Sequence, residues 1–361
     1  MIEKEDEQLI KALITTAKSV MTLSLILVAC IFILVFSLSD NFSVDHRREK
    51  AASTIAGIHS FAATLPDGIK KPTAPGAWKP PDENTIPGGS HGNMIRYGKD
   101  LIVHTAKYLG PQGSIAHITN GMNCQNCHLA GGTALFGNNF AGFMASYPKF
   151  SGRNNKVESP SERIAECFER SLNGKSPDMA GKEVQAILAY MKWLGKDVKK
   201  GQKLFGNATE KLAFMSRATD PQEGRQVFAL KCQNCHGRNG EGTLSADKKS
   251  YMYPPLWGSH SYNDGAGMYR VTNFAGFVKN NMPFGATYES PQLTDEEAWN
   301  VAAFVNSPPR PHRDQRNDWK DLSKKPIDFP FGPYADAFSQ KQHKFGPFGP
   351  IAAVQKKLTT N

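Results

Sequence analysis

Two short stretches carry the chemistry: Cys124-Gln125-Asn126-Cys127-His128 and Cys232-Gln233-Asn234-Cys235-His236. Cys-x-x-Cys-His is a haem-attachment pattern, in which two thiols add to the porphyrin vinyl groups and the histidine ligates iron. Cysteines three apart lie on one face of a helical turn, and the next residue then projects beneath the ring. A structural zinc or a redox dithiol would use Cys-x-x-Cys without the histidine, which here follows both pairs. The chain therefore calls for two covalently bound haem c groups, on Cys124, Cys127 and His128 and on Cys232, Cys235 and His236.

Each iron takes a second axial ligand, whose identity sets potential and reactivity. In the second half, Asn280-Asn281-Met282-Pro283-Phe284-Gly285 offers Met282 in a turn ahead of the last helix, with Met268 as the alternative. The first half differs. Ser159-Pro160-Ser161-Glu162 is a capped helix start with proline in the first turn, and Gly174 is the stop. Cys167 falls inside that helix, with Arg163, Arg170 and Ser171 at offsets of minus four, plus three and plus four on its face. A thiol among guanidinium groups ionises readily, and the thiolate is the form that binds iron or attacks sulfur. A small buried cysteine on an amphipathic helix with solvated arginines is the bland reading; a haem in need of a ligand favours Cys167, with Met179 as the conventional alternative.

These residues must be positioned by helices, because strand patterning is almost absent. Gly92, Ile95, Gly98, Leu101, Ile102 and Thr105 share one face ahead of the first motif. Asp220-Pro221-x-Glu223 starts a helix whose Gly224, Val227 and Phe228 lead to the second. The pattern Val184, Ile187, Leu188, Met191 recurs as Ala298, Val301, Ala302, Val305 behind a Thr294-x-x-Glu297 capping box, and Tyr147-Pro148 recurs as Tyr253-Pro254. Each half thus reads helix, haem motif, loops, terminal helix. The expected fold is mainly α, with two tandem class I cytochrome c domains, at residues 86–205 and 206–310.

Ahead of them, residues 1–18 are polar, and residues 19–38 run without a charge over about the length that spans a bilayer. Leu27-Val28-Ala29-Cys30 resembles a lipoprotein cleavage box, but mostly apolar residues follow Cys30, which favours an uncleaved transmembrane anchor. The flanking lysines and arginines do not orient it; haem attachment, which occurs on the exported side, makes residues 1–18 cytoplasmic and the haem domains periplasmic. Residues 39–85 are proline-rich and read as an extended linker. Residues 311–361 lose periodicity and read as an irregular tail packed on the domains. The formal net charge of +10, partly offset by haem propionates, suits an anionic substrate or an acidic redox partner. No arginine-rich stripe with interleaved aromatics points to nucleic acid.

The runs IPGGSHGNMIRYGKDLI, GMNCQNCHLAGG, YPKFSGRNN, ECFERSLNGK, YPPLWGSHSYNDGAGM, NNMPFGATYESPQLTDEEAWNVAAFVNSPPRP and KKPIDFPFGPYADAF closely resemble dihaem thiosulfate dehydrogenases, over roughly Trp78 to Ile351. The resemblance implies oxidation of two thiosulfate to tetrathionate, in some members run in reverse. It also implies a catalytic first haem ligated by His128 and Cys167, an electron-transfer second haem ligated by His236 and Met282, and an external acceptor such as a cytochrome c. Some members carry a lysine just before that methionine which exchanges with it as ligand; here the position is Asn281, with Lys279 nearby. Two dianions must meet, and Arg153, Arg163 and Arg170, with Ser171 as hydrogen-bond donor, are the residues expected to offset their repulsion. The competing readings are a membrane-tethered electron-transfer dihaem cytochrome without substrate chemistry, and another sulfur-oxidising cytochrome with a cysteine-ligated haem.

Overall fold

The computed structural model describes residues 76–360. The expected cytoplasmic segment and transmembrane anchor, and most of the linker, lie outside the described residues. Among those described, no helix is long and apolar enough to cross a membrane.

Eight helices organise this part of the chain: α1 Gly89–Val103, α2 Pro160–Arg170, α3 Lys182–Leu194, α4 Pro221–Lys231, α5 Val271–Asn281, α6 Asp295–Val305, α7 Gln340–Phe345 and α8 Phe348–Thr360, with shorter helical turns between them. The starts follow from side chains that satisfy otherwise unpaired N–H groups. Ser159 caps α2 and Thr294 caps α6 through reciprocal bonds with Glu162 and Glu297. Asp220 caps α4, its carboxylate accepting from the Gln222 and Glu223 amides.

α1 packs on α3 and α4 on α6, so the duplication read from sequence is present as two crossed helix pairs. The crossings are made by glycine. A Cβ at Gly98 would collide with the Ala186 carbonyl and come within 2.9 Å of the Tyr190 Cβ. A Cβ at Gly224 would meet the Asn300 carbonyl and the Phe304 Cβ in the same way, again at 2.9 Å for the latter. Gly224→Ala is therefore expected to push α4 off α6 and destabilise the second domain by roughly 1–3 kcal/mol, as overpacking does. Thermal denaturation followed at the second haem checks this; an unchanged midpoint contradicts it.

Three elements depart from the sequence reading. α5 was not expected, although it buries Val271, Phe274, Ala275, Phe277 and Val278. Two short antiparallel ribbons exist: β1 Lys149–Ser151 with β2 Lys156–Glu158, paired Phe150 to Val157, and β3 Thr243–Leu244 with β4 Tyr251–Tyr253. The tail is not wholly irregular, since it forms α7 and α8 and buries His343, Phe348 and Ile351. Gly349-Pro350 reads as a loop, yet proline in a first turn lacks only an N–H that has no intrahelical partner there. Phe348 packs against Trp299 with ring centroids 5.6 Å apart, which fixes the tail to α6.

Candidate haem and sulfur site

The first motif is docked on the C-terminal end of α1. The Cys124 amide donates to the Thr105 hydroxyl at 2.9 Å, the Ala106 amide to the Asn123 side chain at 2.8 Å, and the Gln125 side-chain amide to the Val103 carbonyl at 2.9 Å. The second motif follows α4 directly, with the Thr243 hydroxyl donating to the Cys235 carbonyl at 2.7 Å. None of the four motif cysteines is paired in a disulfide.

The two histidines show whether the chain fits a haem iron. His128 Nδ1 lies 2.6 Å from the Asn138 carbonyl, and His236 Nδ1 lies 2.9 Å from the Pro254 carbonyl. A carbonyl only accepts, so each Nδ1 carries its proton and each Nε2 presents its lone pair, the arrangement a metal-bound imidazole requires. Burial holds both rings neutral, bringing His128 down to about 4 and lowering His236. Phe140 stacks on the His128 ring at 4.4 Å. The repeated Tyr-Pro dipeptide has diverged in role, because Pro254 orients His236 whereas Asn138, not Pro148, orients His128.

A cavity of about 680 Å³ is lined by Cys232, Cys235, His236 and Met282 together with Phe274 and Val301, and it extends to Asn126, Cys127 and Leu129 of the first motif. That is within the roughly 300–1,000 Å³ of small-molecule and cofactor sites. Met268 lines the same cavity, but its sulfur also meets the Asn138 side-chain amide at 4.0 Å. Around the first motif the walls close to a narrower apolar cleft of about 50 Å³, lined by Cys124, Cys127, His128, Cys167 and Ser171 and by Met191 of α3. Here the fit rests on the donor set more than on volume. Met179 does not line that cleft and is 43% exposed.

The arginines reach this region already paired. Arg163 donates to Glu166 at 2.8 Å, and Arg153 approaches the same oxygen at 3.5 Å. Arg170 is turned away from the cleft. It forms an ion pair with Asp318 of the tail, at 2.8 and 2.9 Å, and donates to the Gly265 carbonyl. Arg153 lies 3.9 Å from Asp318 and its guanidinium sits over the Trp319 ring. Burial, then the neighbouring Arg170 and Arg163, bring Arg153 down to about 10. Burial works to raise Glu166, yet Arg153 and Arg163 hold it below the usual carboxylate range. Arg163 is raised above its ordinary value, first by the charge of Cys167 and then by Glu166, and its field also bears on His128. The Arg163 side chain is 35% exposed.

Sequence reasoning missed Glu166, Asp318, Trp319 and Tyr147. Burial raises the Tyr147 phenol to about 12, opposed by the charge of Arg163 and reinforced by those of Cys167, Glu158 and Glu166. Glu166 was visible as the neighbour of Cys167. Asp318 had no local signal, being 148 residues from Arg170.

Residues 115–199 match the family described as SoxA/TsdA, cytochrome c domain, and residues 221–308 match cytochrome c. The chain is 36% identical to a thiosulfate dehydrogenase of Stutzerimonas stutzeri over 65% of its own length and 73% of that protein's. It is 34% identical to a thiosulfate dehydrogenase of Psychrobacter arcticus over 76% of its length and 81% of the relative's. Among solved structures it is similar to the thiosulfate dehydrogenase (TsdBA) of Marichromatium purpuratum in its as-isolated form. The TM-score is 0.61 at 33% identity, covering 66% of this chain and 50% of that one, so the chain spans half the length of that solved chain. Two cytochrome c domains carry two covalent haem c groups, and the chain belongs to the thiosulfate dehydrogenase family.

Proposed function

We propose that this protein oxidises two thiosulfate to tetrathionate at Cys167 and passes the electrons through the second haem to an external acceptor such as a cytochrome c. The reading is carried by one observation: a free cysteine outside both motifs lines the same cleft as Cys124, Cys127 and His128, under the charge of Arg163. In this reading His128 and Cys167 would hold the iron of the first haem, and His236 and Met282 that of the second. The haems supply two one-electron acceptors when attached.

The protein's part is to gather the sulfur atoms. The Cys167 thiolate and the terminal sulfur of one thiosulfate form a sulfur–sulfur bond with loss of two electrons, giving a cysteinyl thiosulfonate. A second thiosulfate attacks the outer sulfur of that bond, tetrathionate leaves, and the thiolate returns to Cys167. Charge and sulfur balance at each step, and the same steps reversed reduce tetrathionate. Arg163 and the protonated Tyr147 meet the incoming sulfonate, with Ser171 as a further donor. Arg153 and Arg170 act on substrate through the field they share with Glu166 and Asp318. Apolar walls strengthen these charges by excluding water.

In this reading the catalytic domain is residues 86–205, the electron-transfer domain 206–310, and residues 311–361 form a tail that supplies Asp318 to the first. An anchor at residues 19–38, with residues 1–18 cytoplasmic, would hold both domains on the periplasmic side of the inner membrane. Steady-state assay of the haem-loaded protein with ferricyanide is expected to show thiosulfate consumed and tetrathionate formed in a 2:1 ratio. A fully haem-loaded protein that turns over neither compound would refute the reading and favour a pure electron-transfer cytochrome.

A further inference from the structure

Three consecutive backbone carbonyls join the surroundings of the two haem motifs. The Phe136 carbonyl accepts from the Asn281 side-chain amide at 3.2 Å. The Gly137 carbonyl accepts from the Leu129 amide at 3.1 Å, and the Asn138 carbonyl accepts from His128 Nδ1 at 2.6 Å. One end of this loop is thus bonded to the residue before Met282. The other end orients His128 and the residue that follows it.

The loop has little freedom to absorb a displacement. The Phe136 amide donates to the Gly206 carbonyl at 2.7 Å, and the Asn139 side chain donates to the same oxygen at 2.9 Å. The buried Phe136 ring lies 4.8 Å from that of Tyr288, beyond Met282, and 5.1 Å from that of Phe205. Phe136 and Asn138 both hold positive φ, at 55° and 56°, which non-glycine residues rarely adopt and which the surrounding contacts must maintain. Asn281 is itself tied to α5, donating to the Phe277 carbonyl at 2.8 Å.

The consequence lies in the imidazole bond. A carbonyl accepting from Nδ1–H makes a ligating histidine more basic, which favours ferric iron and lowers the potential. We propose that the loop 136–138 is a positioning element that couples the two haem sites, with Asn281 as the residue through which the second acts on the first. This rests on the ligation by His128 and Cys167 and by His236 and Met282 given above. A change in the Met282 turn moves the Phe136 carbonyl, and the Asn138 carbonyl two residues on moves with it.

The test is a spectroelectrochemical titration of haem-loaded Asn281→Ala, with each haem followed at its own absorption band, together with paramagnetic resonance of the ferric state. The first haem is expected to move to higher potential by about threefold or more in its reduction equilibrium. That is about 28 mV for one electron, taking 59 mV per tenfold. Its resonance g-values should change, and Asn281→Gln, which keeps an amide donor, should bring both back toward the starting protein. Phe136→Leu should shift the first haem in the same direction, and the two changes together should be less than additive, as for residues in one network. If the second haem alone responds while the midpoint and g-values of the first stay fixed in both variants, the coupling is overturned. A starting protein with no thiolate-ligated haem overturns the ligation and the coupling with it, and is recognised before any variant is made.

Discussion

Replacing Cys167 by methionine is expected to leave both haems attached and to lower thiosulfate turnover by at least about 10³-fold, the scale at which removing a covalent catalyst acts. Haem attachment uses Cys124, Cys127, Cys232 and Cys235, none of which the change touches. A thioether at the same place in the cleft can still reach an iron, but it cannot form and release a sulfur–sulfur bond with substrate. The loss should therefore be in kcat with the haem content preserved. Mass of the intact protein and the haem spectrum establish the content, and steady-state assay establishes the rate. A variant that retains turnover would return Cys167 to the status of a small buried side chain.

The second large effect lies in the tail. Asp318→Ala is expected to destabilise the protein by about 3–5 kcal/mol, because it leaves a buried guanidinium without its counterion. The side chains of Arg170 and Asp318 are 5% and 8% exposed, so solvent screens the pair little. Arg153 loses its second carboxylate at the same time. Turnover should fall as well, since Arg153 and Glu166 stand between this pair and Arg163. Chemical denaturation of the haem-loaded protein reads the stability. An unchanged midpoint would mean that the tail is passive packing. Asp318→Asn, which keeps an acceptor for Arg170, should lose less stability.

How much was legible in the sequence follows from the range of each interaction. The haem motifs and the caps of α2, α4 and α6 are local patterns legible in residue type and spacing, whereas Gly98 and Gly224 were placed on the packed helix faces without their part in the crossings being read. The helix that presents Cys167 was placed by its proline and its capping box. The charge balance around the sulfur was not legible. Helical offsets put the guanidinium groups of Arg163 and Arg170 around the thiol, whereas Arg170 turns to a carboxylate far along the chain and Arg153 and Arg163 share Glu166. The partners of the imidazoles were hidden for a related reason, since backbone carbonyls leave no mark in residue type. The tail misled because its glycines and prolines fall where helices begin and end, which composition alone reads as loop.

The central claim is that substrate sulfur becomes bonded to Cys167. Its most direct test is to mix the ferric, haem-loaded protein with one equivalent of thiosulfate, quench it in acid, and weigh the peptide that contains Cys167. The account predicts that this peptide gains the mass of one S₂O₃ unit as two electrons appear on the haems, and that added thiosulfate or a reductant removes it. Haems reduced by thiosulfate while the Cys167 peptide keeps its unmodified mass would contradict it.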